Sequence, residues 1–200
     1  MSEEREVKFY LQDMREMQKR LLAAGAEIER PRVFERNLRY DTPLGDLTAQ
    51  HRVLRLRQDS RARLTYKGPS DLNESVSVRQ ELEVEVGDFD ETHAILTALG
   101  YVISVMYEKY RTTYRLQQVE VVLDEMPFGS FMEIEGPDTD SIRLAADALG
   151  LDWEARCNAN YMALFERLRA RGLQAEHLTF ELLEGKTFGA EDFDLIPGDR

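Results

Sequence analysis

Arg79-Gln80-Glu81-Leu82-Glu83-Val84-Glu85-Val86 sets charged side chains at every second position, with mostly apolar ones between. In a strand, residues i, i+2 and i+4 share one face, so Arg79, Glu81, Glu83 and Glu85 project together, opposite Leu82, Val84 and Val86. The same device recurs outward in both directions. Glu4, Glu6 and Lys8 alternate near the start, Arg55 and Arg57 in Val-Leu-Arg-Leu-Arg, and Arg61, Arg63, Thr65 and Lys67 in the next segment. Lys109, Arg111, Thr113 and Arg115 follow, then Glu120, Val122 and Asp124, then Glu133 and Glu135.

A water-facing side accounts for alternation in any one antiparallel strand. The joint pattern asks for more, because these faces are runs of Arg and Lys or runs of Glu. Like charges side by side on one face destabilise a strand unless opposite charge lies between them. Closing the strands into a barrel with the charged face inward supplies that charge, giving a lumen of about ten cations and about eight carboxylates. A lumen of that kind suits a polyanion accompanied by a divalent metal. The predicted fold is α+β: a closed antiparallel eight-stranded β-barrel with helices packed outside.

The 200 residues are read as one domain over 1–171, with 172–200 an appendage of uncertain order. A formal net charge of −12 argues against nucleic-acid binding, since no basic arm offsets it. Cys157 is the only cysteine, so an intrachain disulfide is excluded and a reducing cytoplasm is expected. No apolar run reaches membrane-spanning length, and the charged N-terminus lacks the apolar stretch of a signal peptide. The expected state is a cytoplasmic monomer or homodimer that binds a small molecule and no membrane.

Strands are predicted over 3–11, 33–40, 51–58, 61–67, 75–86, 101–116, 118–125 and 131–135. Helices are predicted over 12–24, over 90–99 with Asp90 as N-cap, over 139–149, and as one longer element from 153 to 171.

Glu4 with Glu6, and Glu133 with Glu135, are the candidate metal ligands, and Asp124 adds an oxygen; hard cations such as Mg²⁺ or Mn²⁺ want such donors. Lys8, Arg55, Arg57, Lys67, Lys109, Arg111 and Arg115 are candidates for phosphate, which arginine forks grip bidentately. Other chemistries fare poorly. Gly185-Lys186-Thr187 lacks the glycine that a phosphate loop needs at position 180, where Phe stands. His51, His93 and His177 share no ligand spacing, and Cys157 beside Trp153 and Tyr161 reads as a packing thiol.

These residues also resemble a known family. Glu4-x-Glu6-x-Lys8, Tyr40-Asp41-Thr42-Pro43, Leu54-Arg55-Leu56-Arg57, Lys67-Gly68-Pro69, Arg79 with Glu81 and Glu83, Lys109 with Arg111, and Leu123-Asp124 through Phe131-Met132-Glu133-Ile134-Glu135-Gly136 fall in the order of the CYTH superfamily, the triphosphate tunnel metalloenzymes. The resemblance spans residues 3 to about 168, with Asn160-Tyr161 where the family often has Ser-Tyr. It implies an eight-stranded tunnel that binds a triphosphate group and divalent metal. The expected activity is a metal-dependent triphosphatase, with class IV adenylyl cyclase as the alternative and a non-catalytic polyphosphate-binding module as a second. On this reading Lys67, with Glu81 or Glu83 orienting the attacking water, carries the reaction, and Arg79 joins the phosphate ligands.

Overall fold

The computed structural model describes residues 2–69 and 77–200, and for 2–4, 77 and 78 the backbone alone. The predicted start of the fifth strand at 75 and the side chain of Glu4 therefore lie outside the described residues. Eight strands are present: β1 (Ser2–Leu11), β2 (Glu27–Asp41), β3 (Val53–Gln58), β4 (Ala62–Lys67), β5 (Ser77–Val86), β6 (Val102–Leu116), β7 (Val119–Met126) and β8 (Gly129–Glu135). They close into a barrel in the order β1-β5-β4-β3-β2-β6-β7-β8, every pair antiparallel. Closure is staggered: β1 meets β5 over Ser2–Glu6 and β8 over Glu6–Leu11.

Side-chain parity then turns one face of every strand to the lumen. The apolar faces point outward and are covered by helices. Val7, Phe9 and Leu11 of β1 pack with Met17 and Leu21 of α1 (Met14–Ala23) and with Ile142, Ala145 and Ala146 of α4 (Thr139–Ala148). Leu38, Tyr40 and Leu56 pack under Phe89 and Leu96 of α3 (Phe89–Ala98). The hydrophobic core thus lies outside the barrel wall, an inversion of the usual small barrel. No helix among the described residues is long and apolar enough to cross a membrane.

Several sequence expectations are corrected. The second strand begins at Glu27, not 33, with irregular register around Arg30 and Val33, where Pro31 removes a ladder donor. Asp88, not Asp90, caps α3, its side chain accepting from the N–H of Glu91. The long helix expected over 153–171 is broken. Trp153–Ala155 is a single 3₁₀ turn, and Phe9 pairs with Arg156 in an isolated antiparallel bridge. The Cys157 N–H donates to the Lys8 carbonyl at 2.7 Å, and α5 starts only at Tyr161 (Tyr161–Ala170), capped by Asn160. Pairing with the β1 backbone at Lys8 and Phe9 wins over helix continuation, so Cys157 is buried beside a strand rather than helical.

One end of the lumen is plugged. Tyr10, Tyr107, Met126, Phe128 and Phe131 cluster there with Leu164, Phe165 and Leu168 of α5. Residues 172–200 contribute Leu178, Leu183 and Phe193 to the same cluster. Leu178 exchanges backbone hydrogen bonds with β6, donating to Met106 and accepting from Glu108, and the Gly198 N–H donates to the Tyr10 carbonyl at 2.9 Å. A Cβ at Gly198 would stand 2.8 Å from Phe9, so the chain there can lie this close only as glycine.

Candidate active site

The lumen is a cavity of about 490 Å³. Among the described residues nine Lys or Arg and eight Asp or Glu side chains line it, so the excess negative charge of the chain is carried elsewhere. The expected composition, about ten cations against about eight carboxylates, matches this closely.

At the plugged end Asp124 is fully buried and organises the floor. Arg111 grips it bidentately, Nε at 2.6 Å and Nη2 at 2.5 Å; Lys109 Nζ donates at 2.9 Å and the Tyr161 hydroxyl at 2.8 Å. Glu133 accepts from Arg111 at 2.7 Å and faces Lys8 Nζ at 3.2 Å. Lys8 Nζ also stands 4.1 Å from the Tyr161 ring centre, a cation–π distance. Burial opposes charge on both Lys8 and Glu133, yet their mutual attraction prevails: Lys8 is held above the usual lysine value, and Glu133, helped by Arg111 and Lys109, well below the usual carboxylate range.

The opposite wall is a lattice of cations braced by acids. Lys67 faces Glu81 at 3.1 Å, and Arg79 faces Glu6 at 3.5 Å. Arg57 lies 3.5 Å from Glu83 and 3.6 Å from Glu35. Arg55 donates to the Tyr107 hydroxyl at 3.4 Å and to Thr65 Oγ1 at 3.3 Å, and Thr65 in turn donates to Glu83 at 2.9 Å. These residues converge because β3, β4 and β5 place Arg55, Thr65 and Glu83 directly abreast, with Lys67 beside Glu81 one step along.

Of the residues singled out from sequence, Glu6, Lys8, Arg55, Arg57, Lys67, Arg79, Glu81, Glu83, Lys109, Arg111, Glu133 and Glu135 all line the cavity. Asp124 stands behind it, spent on Lys109, Arg111 and Tyr161. Arg115 is not brought in: it is nearly half exposed and pairs with Glu29 at 3.0 Å. Tyr40-Asp41-Thr42-Pro43 supplies a turn instead of a ligand. Asp41 accepts from the N–H groups of Thr42, Leu47 and Thr48 and from the Thr48 hydroxyl, anchoring α2 (Asp46–Ala49).

Sequence reasoning missed Glu35, Asn37 and Arg39. Their signal is the same alternation, in Val33-Phe34-Glu35-Arg36-Asn37-Leu38-Arg39, disguised because Arg36 puts a charge on the outer face as well. Burial penalises a charged Glu35, but Lys109, Arg111, Arg57 and Arg55 together outweigh it and bring its pKa down to about 2.

The donor set near the other mouth suits a hard cation. Glu6, Glu135 and Glu120 stand directly abreast on β1, β8 and β7, with Arg79 3.5 Å from Glu6 and Arg115 3.9 Å from Glu120. Oxygen donors of this kind fit Mg²⁺ or Mn²⁺. Among the described residues no three His, Cys, Asp or Glu side chains are already grouped to hold a metal ion.

The profile of the CYTH domain matches residues 2–151. The chain belongs to the CYTH domain family. A curated relative from Methanocaldococcus jannaschii, provisionally named an adenylate cyclase, is 25% identical over 132 residues, 65% of this chain and 74% of that one. Among solved structures, a Vibrio parahaemolyticus protein with the same provisional name superposes with TM-score 0.72 at 20% identity, over 82% of this chain and 97% of its own. A Hippeastrum protein, provisionally an adenylyl cyclase and described with a dominant triphosphatase activity, superposes with TM-score 0.64 at 20% identity, over 86% and 98%. At that identity the two structures speak for the CYTH fold alone.

Proposed function

We propose that this CYTH protein is a metal-dependent hydrolase of the triphosphate moiety of a small substrate: inorganic triphosphate, thiamine triphosphate or a nucleoside triphosphate. One observation carries the reading: among the described residues, nine cationic side chains face one walled cavity beside an acidic row at its mouth. Lys8, Arg55, Arg57, Lys67, Arg79, Lys109 and Arg111 would bind phosphate oxygens, and Glu6, Glu135 and Glu120 at the mouth, with Glu4 and Glu133, would hold Mg²⁺ or Mn²⁺. A bound divalent ion supplies charge neutralisation at the triphosphate.

The chain's own part is positioning. Phosphoryl transfer passes through a loose transition state with charge spread over the equatorial oxygens, so fixed cations lining the cavity lower the barrier without covalent help. Glu81 and Glu83 brace Lys67 and the Arg55–Arg57 pair, which keeps those cations in place before substrate arrives. Arg111 is shared between Asp124 and Glu133, so its guanidinium is fixed in direction while its outer edge faces the cavity.

The provisional names of the relatives favour a second reading, cyclisation of ATP to cyclic AMP and pyrophosphate in the same lumen. The two separate in one assay. Purified protein is incubated with tripolyphosphate, thiamine triphosphate and ATP, each with Mg²⁺, Mn²⁺ or chelator. Metal-dependent orthophosphate release is the expected outcome; cyclic AMP with pyrophosphate gives the cyclase, and tight binding without product gives a polyphosphate-binding module. Glu6→Gln and Lys67→Ala should each lower turnover by about 10²–10³ in a protein that still melts cooperatively. Full activity in folded Glu6→Gln would remove the metal assignment.

A further inference from the structure

Among the described residues five buried polar atoms without a hydrogen-bond partner gather at one stretch of the barrel wall: Glu35 Oε2, Arg55 Nε and Arg57 Nε on residues that line the cavity, and both amide atoms of Asn37, which stands behind them. They are cross-strand neighbours. Asn37 lies opposite Arg57 on β3, Arg39 opposite Arg55, and Glu35 opposite Lys109 on β6. Asn37 is fully buried and Glu35 is 2% exposed, yet Glu35, Arg55 and Arg57 all line the cavity. An unpaired buried polar atom costs about 1–3 kcal/mol, so a wall carrying five of them is shaped for a ligand.

The chemistry of the set says which ligand. Arg55, Arg57 and the Asn37 amino group are donors, which an ionised phosphate satisfies. Glu35 Oε2 and Asn37 Oδ1 are acceptors, which an ionised phosphate repels. They call for a hydrogen-bond donor, which water or a sugar hydroxyl supplies as an O–H. The cations beside Glu35 do not fill that need: Arg57 and Lys109 each stand 3.6 Å from its oxygens, close enough to hold the negative charge but too far for hydrogen bonds. Glu81 and Glu83 differ in this respect, since Lys67 lies at 3.1 Å from the first and the Thr65 hydroxyl at 2.9 Å from the second.

We propose that Glu35 and Asn37 form a hydroxyl subsite that orients the attacking nucleophile beside the phosphate-binding cations. This rests on the triphosphate reading and deepens it. In hydrolysis the hydroxyl is that of water, which has here the two or more polar partners that an ordered water needs. Its oxygen bonds to the terminal phosphorus while the bridging P–O bond breaks, the electron pair leaves with the departing diphosphate, and the water proton passes to the released phosphate. In cyclisation the same place is taken by a ribose hydroxyl: its oxygen bonds to the α-phosphorus, the bridging P–O bond to the β-phosphorus breaks, and the hydroxyl proton leaves on the pyrophosphate. Glu35 stays ionised throughout and acts by accepting the hydrogen bond, since a carboxylate with so low a pKa is a poor base.

The test is steady-state kinetics with tripolyphosphate and ATP, with calorimetric binding of tripolyphosphate, on the full chain carrying Glu35→Gln or Glu35→Asp. Both variants should lose about 10²-fold or more in kcat. Neither should bind tripolyphosphate more weakly, and Glu35→Gln should bind it more tightly, because the lumen loses a negative charge. Orthophosphate from both wild-type substrates assigns the hydroxyl to water, and cyclic AMP from ATP alone assigns it to ribose. An active wild type with kcat within threefold in either folded variant overturns the subsite and leaves the proposed function standing. Affinity lost in proportion to kcat also overturns it, because Glu35 would then only brace Lys109 and Arg57. Glu35→Asp keeps the charge and stands in should Glu35→Gln fail to fold. A wild type that fails to bind tripolyphosphate, or binds it but turns over none of tripolyphosphate, thiamine triphosphate and ATP, overturns the triphosphate reading and the subsite together.

Discussion

Glu35 shows how far one buried carboxylate depends on its neighbours. Its pKa of about 2 lies below the ordinary 4.5, so its ionised form is favoured by the fold. The stability this contributes is fully present above pH 4.5 and is lost as pH falls through 2. A shift of that size corresponds to about 3 kcal/mol. Comparing denaturant unfolding of the wild type and Glu35→Gln from pH 6 to 3 should show a steeper acid loss in the wild type; identical slopes would mean that the four cations do not hold this group. Glu133 is also depressed and keeps some acid dependence in both proteins, so the difference between the curves is the informative quantity. The residues that declared themselves in the sequence were those on strands with one clean charged face, such as Arg55, Arg57, Glu81 and Glu83. Glu35 and Asn37 were hidden because Arg36 interrupts the apolar outer face of β2. Asp124 was singled out in the sequence as a metal ligand, but nothing local says that three donors will occupy it.

Elements differ in how much of their placement is local. Strand pairing in the hairpins was readable, because period-two alternation and short polar turns fix both the face and the register. The stretch 153–171 was not, since Trp153 through Arg171 carries helical spacing while the backbone of Phe9 and Lys8 competes for Arg156 and Cys157. What restarts the helix is Asn160, whose Oδ1 accepts from the Ala163 N–H at 3.0 Å. Removing that cap in Asn160→Ala should cost about 1 kcal/mol, a fall of about 2–4 °C in melting temperature for a chain of this size. Asn160→Asp should restore it, since Asp caps equally well. The same substitution loosens the turn that carries Tyr161 under Lys8, so a weaker grip on tripolyphosphate should accompany the lower melting point. A melting temperature unchanged in Asn160→Ala would show that α5 is held in place by packing alone.

At the scale of the molecule, a polar lumen leaves the barrel unable to stabilise itself from within. Its apolar burial must come from what surrounds it: helices on the outer faces and a plug at one end. Residues 172–200 belong to that plug. Leu178 and Phe193 are fully buried and Leu183 is 3% exposed, and the segment is pinned by Arg171 to Asp194 at 2.6 Å and by the Gln12 and Asp13 N–H groups to Asp199 at 2.8 Å. Burying three such side chains contributes about 6 kcal/mol, at about 2 kcal/mol each. That is comparable with the whole stability of a typical domain, about 5–15 kcal/mol. A chain ending at Gly172 would also bare Tyr10, Phe128 and Phe131 at the floor of the site, where Tyr161 and Asp124 meet. Such a chain should bind a hydrophobic dye and melt without a cooperative transition. If it instead melts cooperatively within about 5 °C of the full chain, the floor of the lumen is held by α5 alone, and the segment's burial contributes far less than its contacts imply.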